Sequence, residues 1–133
     1  MRWLVKEEPT HYNFDQFAAD GKTTWSGVRN PLAQKHLRAM KKGDRVFYYH
    51  TGNAKAIVGT ARVASAPEPD AADPNGKLYV VELTADKPLA SPVTLAAIKA
   101  DKRFADFLLV RMSRLSVMPV TEEQWEAIER MAR

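Results

Sequence analysis

Trp25 is the one large aromatic in a run of small and polar residues, Lys22-Thr23-Thr24-Trp25-Ser26-Gly27-Val28-Arg29. A flat indole beside glycine and hydroxyl groups suits an unstacked base, each such stack being worth roughly 1–3 kcal/mol, while Ser26, Asn30 and loop amides can read base edges. Positive charge follows at once: Arg29, Lys35, Arg38, Lys41 and Lys42 occupy the same loop and the helix after it, where they would meet phosphates. The residues alone leave a second role open for Trp25, a core plug beneath the helix starting at Pro31, because most tryptophans are buried for packing. Arg114 is open in the same way, between a phosphate contact and a structural ion pair.

Other chemistry finds little support. The chain has no cysteine, which removes disulfides, thiolate nucleophiles and the common cysteine-containing zinc sites. His11, His36 and His50 lack metal-ligand spacing, and no serine sits in a glycine-flanked elbow, so no metal, cofactor or catalytic residue is predicted. Asp73-Pro74-Asn75-Gly76 has Glu82 six positions beyond its glycine, but Ala71 takes the first ligand position of a calcium loop. Gly52 and Gly59 are spaced like a phosphate loop with Thr60 where its lysine belongs. Two rival functions remain: a small nucleotide-processing enzyme with His50 and Glu8 as acid and base, and a protein-interaction module using the basic helix face.

These side chains must be positioned by one domain spanning 1–133, since 133 residues suffice for a single core. A 45% hydrophobic and 27% charged composition is that of an ordinary globular protein. No apolar run reaches membrane-spanning length, and Met1 leads into Lys6-Glu7-Glu8-Pro9 without a signal-like segment; the expectation is a cytoplasmic protein without membrane contact, favoured as a monomer. A net charge of +4 favours a polyanion only if the basic groups share a face.

Strands are expected at 2–6, 45–50, 56–63, 78–83 and 114–120, from β-branched and aromatic runs bounded by turn residues. Helices are expected after Asn13, at about 31–41 behind Asn30-Pro31, after Thr94 and Asp101, and at about 121–131 behind the capping box Thr121-Glu122-Glu123-Gln124. Residues 22–29 read as a loop. Too few helices alternate with strands to cover a parallel sheet, which argues for α+β around a curved or closed antiparallel sheet.

Trp3-Leu4-Val5-Lys6-Glu7-Glu8-Pro9, Trp25-Ser26-Gly27-Val28-Arg29-Asn30, Gly43-Asp44, Tyr49-His50-Thr51, Ile57-Val58-Gly59 and Arg114-Leu115-Ser116-Val117 occur in the order found in EVE domains, and the chain resembles that family over nearly its whole length. The resemblance implies a PUA-like mixed β-barrel of five or six strands with flanking helices. It also implies a non-catalytic module that holds a flipped, modified base of DNA or RNA in an aromatic pocket. In the related YTH readers of methylated adenine a Trp-Ser pair forms one cage wall and its polar edge, matching Trp25 and Ser26; the first-strand lysine matches Lys6 and the following cage residue Glu8. Val28, Asn30, His50 and Ser116 complete the expected pocket. The second YTH tryptophan has no counterpart in 64–77, so Tyr49, Tyr79 or Leu115 is expected to supply the opposite wall.

Overall fold

A computed structural model describes residues 1–133. The elements run β1 (Arg2–Glu7), α1 (Pro9–Tyr12), α2 (Phe14–Asp20), β2 (Lys22–Trp25), α3 (Pro31–Ala39), β3 (Arg45–His50), β4 (Ala56–Val63), β5 (Glu68–Pro69), β6 (Tyr79–Thr94), α4 (Leu95–Lys99), a 3₁₀ turn (Lys102–Phe104), α5 (Leu108–Arg111), β7 (Val117–Val120) and α6 (Glu122–Met131). The class is α+β. One sheet has the order β2-β6-β4-β3-β1-β7, with β5 added to β6. Only β1 and β3 run parallel, Lys6 opposite Tyr49 and Glu7 opposite His50. No ladder joins β2 to β7, so the sheet of seven strands is open, not the closed barrel of five or six expected.

Local signals account for most boundaries. The side chain of Asn30 accepts the N–H groups of Leu32 and Ala33 ahead of Pro31, and Thr121 and Gln124 close a reciprocal capping box. Two expectations are corrected. Lys22–Trp25 is not loop but edge strand β2, paired Trp25 to Val81, and β6 runs on to Thr94 through Pro88 and Pro92. The prolines are tolerated because the β4–β6 ladder is irregular, with register shifts at Ile57/Gly59 and Thr60/Ala61.

Alternation along the central strands divides the core. Tyr48 faces Phe14 and Phe17 of α2, with centroids 5.5 and 5.4 Å away, and a Cβ on Gly59 would collide with the Phe14 ring. Phe47 points to the other face and stacks on Trp125 of α6 at 3.6 Å. Trp3 and Trp125 are both buried in the core. No helix is long and apolar enough to cross a membrane.

Candidate nucleic-acid interface

Trp25 ends β2 where the chain leaves the sheet through Ser26 and Gly27, the latter at φ +77°. Its indole meets Tyr48 edge-on at 5.5 Å and is only 6% exposed. It nevertheless borders a cavity of about 230 Å³ lined by Glu7, His11, Tyr12, Thr23, Thr24, Trp25 and Ser26. Drug-sized ligands occupy about 300–1,000 Å³, so this space suits a single heterocycle. The Tyr12 hydroxyl donates to Asp20 at 2.7 Å, and burial, with that bond, raises its pKa. Glu7 Oε1 accepts the Glu8 N–H at 2.9 Å and lies 3.2 Å from His11 Nδ1. Its other oxygen, Oε2, has no partner within the chain.

Strand alternation sends Lys6 and Tyr49 elsewhere. With Thr51, Lys55, Lys99 and Ser113 they line a separate cavity of about 240 Å³ backed by Leu95, Leu109 and Val110. The Lys6 ammonium donates to the Ser113 carbonyl at 2.9 Å and sits 5.6 Å from the Tyr49 ring centre; burial lowers its pKa. Arg114, exposed in the turn before β7, neighbours this cavity through Ser113.

A third concavity, a groove of about 560 Å³, gathers Arg29, Pro31, Gln34, Arg38, Lys77 and Tyr79. The Arg38 guanidinium lies 5.5 Å from the Tyr79 ring centre. Gln34 is buried and fixes the floor: its amide nitrogen donates to the carbonyls of Val28 (2.6 Å) and Tyr79 (3.2 Å), and its oxygen accepts the Tyr79 N–H at 3.0 Å. Arg29, Arg38 and Lys77 belong to none of the chain's ion pairs. Asp73 is held below the usual carboxylate range chiefly by the backbone N–H groups of Leu78 and Asn75, Arg29 adding a smaller Coulombic contribution.

Residues 1–131 match the EVE domain family. The chain belongs to that family. A Rhodopseudomonas palustris protein whose structure was solved by NMR is 49% identical, with TM-score 0.94 over 98% of this chain and 92% of its own. Human thymocyte nuclear protein 1 is 28% identical over 95% of this chain and 71% of the human protein. A crystal structure of that human protein in complex with 5-methylcytosine-containing DNA, 23% identical to this chain, shares the fold at TM-score 0.90 over 99% of this chain and 97% of that one.

Within this EVE domain the residues expected to form one pocket are distributed over several places. Trp25 and Ser26 share a cavity, but none of the three expected opposite walls reaches it: Tyr49 is on the other face, Tyr79 floors the arginine groove, and Leu115 is buried in the core. Glu8 is occupied, its carboxylate accepting the hydroxyls of Thr10 and Thr51 and packing against Gly52. His50 Nε2 accepts the Phe14 N–H at 3.0 Å, and burial lowers its pKa. Asn30 serves as helix cap, Val28 is buried, and the Ser116 carbonyl accepts the Lys6 N–H.

Among the expected phosphate contacts, Arg29 and Arg38 share the groove, and Lys35 is exposed on α3. Lys41 and Lys42 lie beyond the far end of that nine-residue helix, about 13 Å from its start at 1.5 Å per residue. Sequence reading missed Glu7, His11 and Tyr12 beside Trp25, and Gln34 and Lys77 in the groove. The four-residue α1 carrying His11 and Tyr12 is too short for a helical period, its one signal being Pro9 at the first position.

Proposed function

We propose that this EVE domain is a non-catalytic DNA-binding module that takes a flipped, methylated base against Trp25 and Ser26 and its flanking phosphates along Arg29, Arg38 and Lys77. The observation carrying this reading is the juxtaposition in one chain segment of a heterocycle-sized aromatic cavity and arginines that belong to no ion pair. His11 and Tyr12 replace Tyr49, Tyr79 and Leu115 as the opposite wall. Gln34 joins the two parts, since it ties the loop carrying Ser26 and Arg29 to the start of β6. The human relative's complex with 5-methylcytosine-containing DNA supports DNA as the polymer and methylcytosine as the modification.

The geometry gives less support to the acid–base alternative. The Nε2 lone pair of His50 accepts the Phe14 N–H, the Glu8 carboxylate accepts two hydroxyls, and neither residue lines the Trp25 cavity. The test is a binding panel of short DNA and RNA, single- and double-stranded, with methylated and unmodified bases. Preference for methylated DNA that disappears in Trp25→Ala supports the reading; binding without preference, or release of any product, refutes it.

A further inference from the structure

Glu7 supplies the Trp25 cavity with a hydrogen-bond acceptor that nothing in the chain satisfies. Its side chain is 24% exposed, and one oxygen is anchored by the Glu8 N–H while the other has no partner. An ionised carboxylate can only accept. A cavity wall of this kind favours a base edge bearing an amino group, as on C4 of cytosine or C6 of adenine, and repels the carbonyl of thymine or guanine at the equivalent position. Thymine and 5-methylcytosine carry the same ring methyl, so a methyl-accommodating aromatic wall alone cannot separate them. On their pairing edges they differ at position 4, carbonyl in thymine and amine in 5-methylcytosine, and at N3, protonated only in thymine. An acceptor placed at position 4 therefore selects 5-methylcytosine, whereas one placed at N3 would not.

Resting on the methylated-base reading above, we infer that Glu7 is the specificity-determining residue of the site, accepting a hydrogen bond from the exocyclic amine and excluding thymine. Glu8, its neighbour in sequence, cannot do this from its present position because Thr10, Thr51 and Gly52 surround its carboxylate. Glu7 lines the cavity, and His11 Nδ1 lies 3.2 Å from its Oε1, the oxygen that also accepts the Glu8 N–H, so Oε2 is the oxygen left for a ligand.

The test uses short DNA single strands, so that opening a base pair does not enter, each with one central 5-methylcytosine, cytosine or thymine. The full chain should prefer 5-methylcytosine over thymine by roughly five- to a hundredfold, within the range by which a good base-edge contact discriminates against the wrong base. Glu7→Gln keeps the size of the side chain and an oxygen for the Glu8 N–H, which leaves the amide NH2, a donor, as the free end. The preference should then fall to within about threefold or reverse toward thymine, with unchanged thermal midpoint. A Glu7→Gln protein that still rejects thymine, or a wild-type protein that never did, overturns the assignment to Glu7. If instead no strand binds in a Trp25-dependent way, the base-binding reading itself has failed.

Discussion

Trp25→Ala separates the two jobs assigned to this indole because their magnitudes differ. At 6% exposure and packed edge-on against Tyr48, Trp25 contributes as a core residue, and truncating such a tryptophan costs about 3–5 kcal/mol. Unfolding entropy near 2.1 cal/mol/K per residue gives about 0.28 kcal/mol/K for 133 residues, so the thermal midpoint should drop by about 10–18 °C. A domain typically has about 5–15 kcal/mol to lose, so a folded population remains at low temperature. Binding is a smaller and separate quantity. A base entering the cavity meets the limited part of the indole that is exposed, which places the stacking contribution near the lower end of the roughly 1–3 kcal/mol range, about a fivefold loss of affinity for the methylated base. Calorimetry gives the first quantity; fluorescence anisotropy well below the lowered midpoint gives the second, with Trp25→Phe as the partner that keeps most of the packing. A midpoint shift of only a few degrees would contradict the burial. Equal loss for methylated and unmodified strands in a demonstrably folded variant would mean that Trp25 only holds the fold.

Neutralising Arg29, Arg38 and Lys77 one at a time should weaken methylated and unmodified DNA alike and flatten the log affinity against log salt plot by about one unit for each phosphate no longer engaged; a changed base preference with unchanged slope would place these groups elsewhere. Gly59→Ala should cost about 1–3 kcal/mol by overpacking, roughly 4–11 °C in midpoint, because its methyl would enter the space of the Phe14 ring. For pH, burial lowers the pKa of both His50 and His36, so the unfolded chain takes up those protons first. Stability should therefore hold above about pH 6.5 and fall as pH drops below it toward the lower folded values; urea midpoints at several pH values would show this, and His50→Gln should flatten part of the fall.

The helix behind Asn30-Pro31, the 45–63 hairpin and the terminal capping box were readable because each carries its own local signal. β2 was not. Its four residues become a strand only by pairing with Val81–Thr84, far along the chain, and a four-residue edge strand is too short for its alternation to announce itself. The tail of β6 was hidden by Pro88 and Pro92, which punctuate a sequence yet survive where the ladder is irregular. The site was misgrouped for a different reason. Lys6, Tyr49 and Trp25 were assembled from a likeness of order, although a period of two already places Lys6 opposite in direction to Glu7, and Tyr49 to Tyr48. Alternation separates Lys6 from Glu7 and Tyr49 from Tyr48; only the β1–β3 register and the pairing of β2 then put Glu7 and Tyr48 beside Trp25 and Lys6 with Tyr49 on the other face.

Under the proposed function, that division limits how the domain can read nucleic acid. Base and backbone cannot be recognised by one fused pocket, because the Trp25 cavity has a carboxylate in its wall and the Arg29–Arg38 groove has none. A phosphate drawn toward Glu7 would be repelled, while a base edge with an amine would be repelled from the guanidinium groups and accepted by Glu7. On the proposed reading the two surfaces sort the parts of a nucleotide by charge, which requires that their separation be fixed. Gln34 ties the loop after Trp25 to the start of β6: buried, with both ends of its amide used, it locks the Val28 carbonyl and both backbone groups of Tyr79 together. Loss of that amide would leave three backbone groups unpaired at the junction, at about 1–3 kcal/mol for each one that stays buried. The placement of the Arg29–Arg38 groove beside the loop that follows Trp25 therefore depends on this one side chain as well as on the sheet.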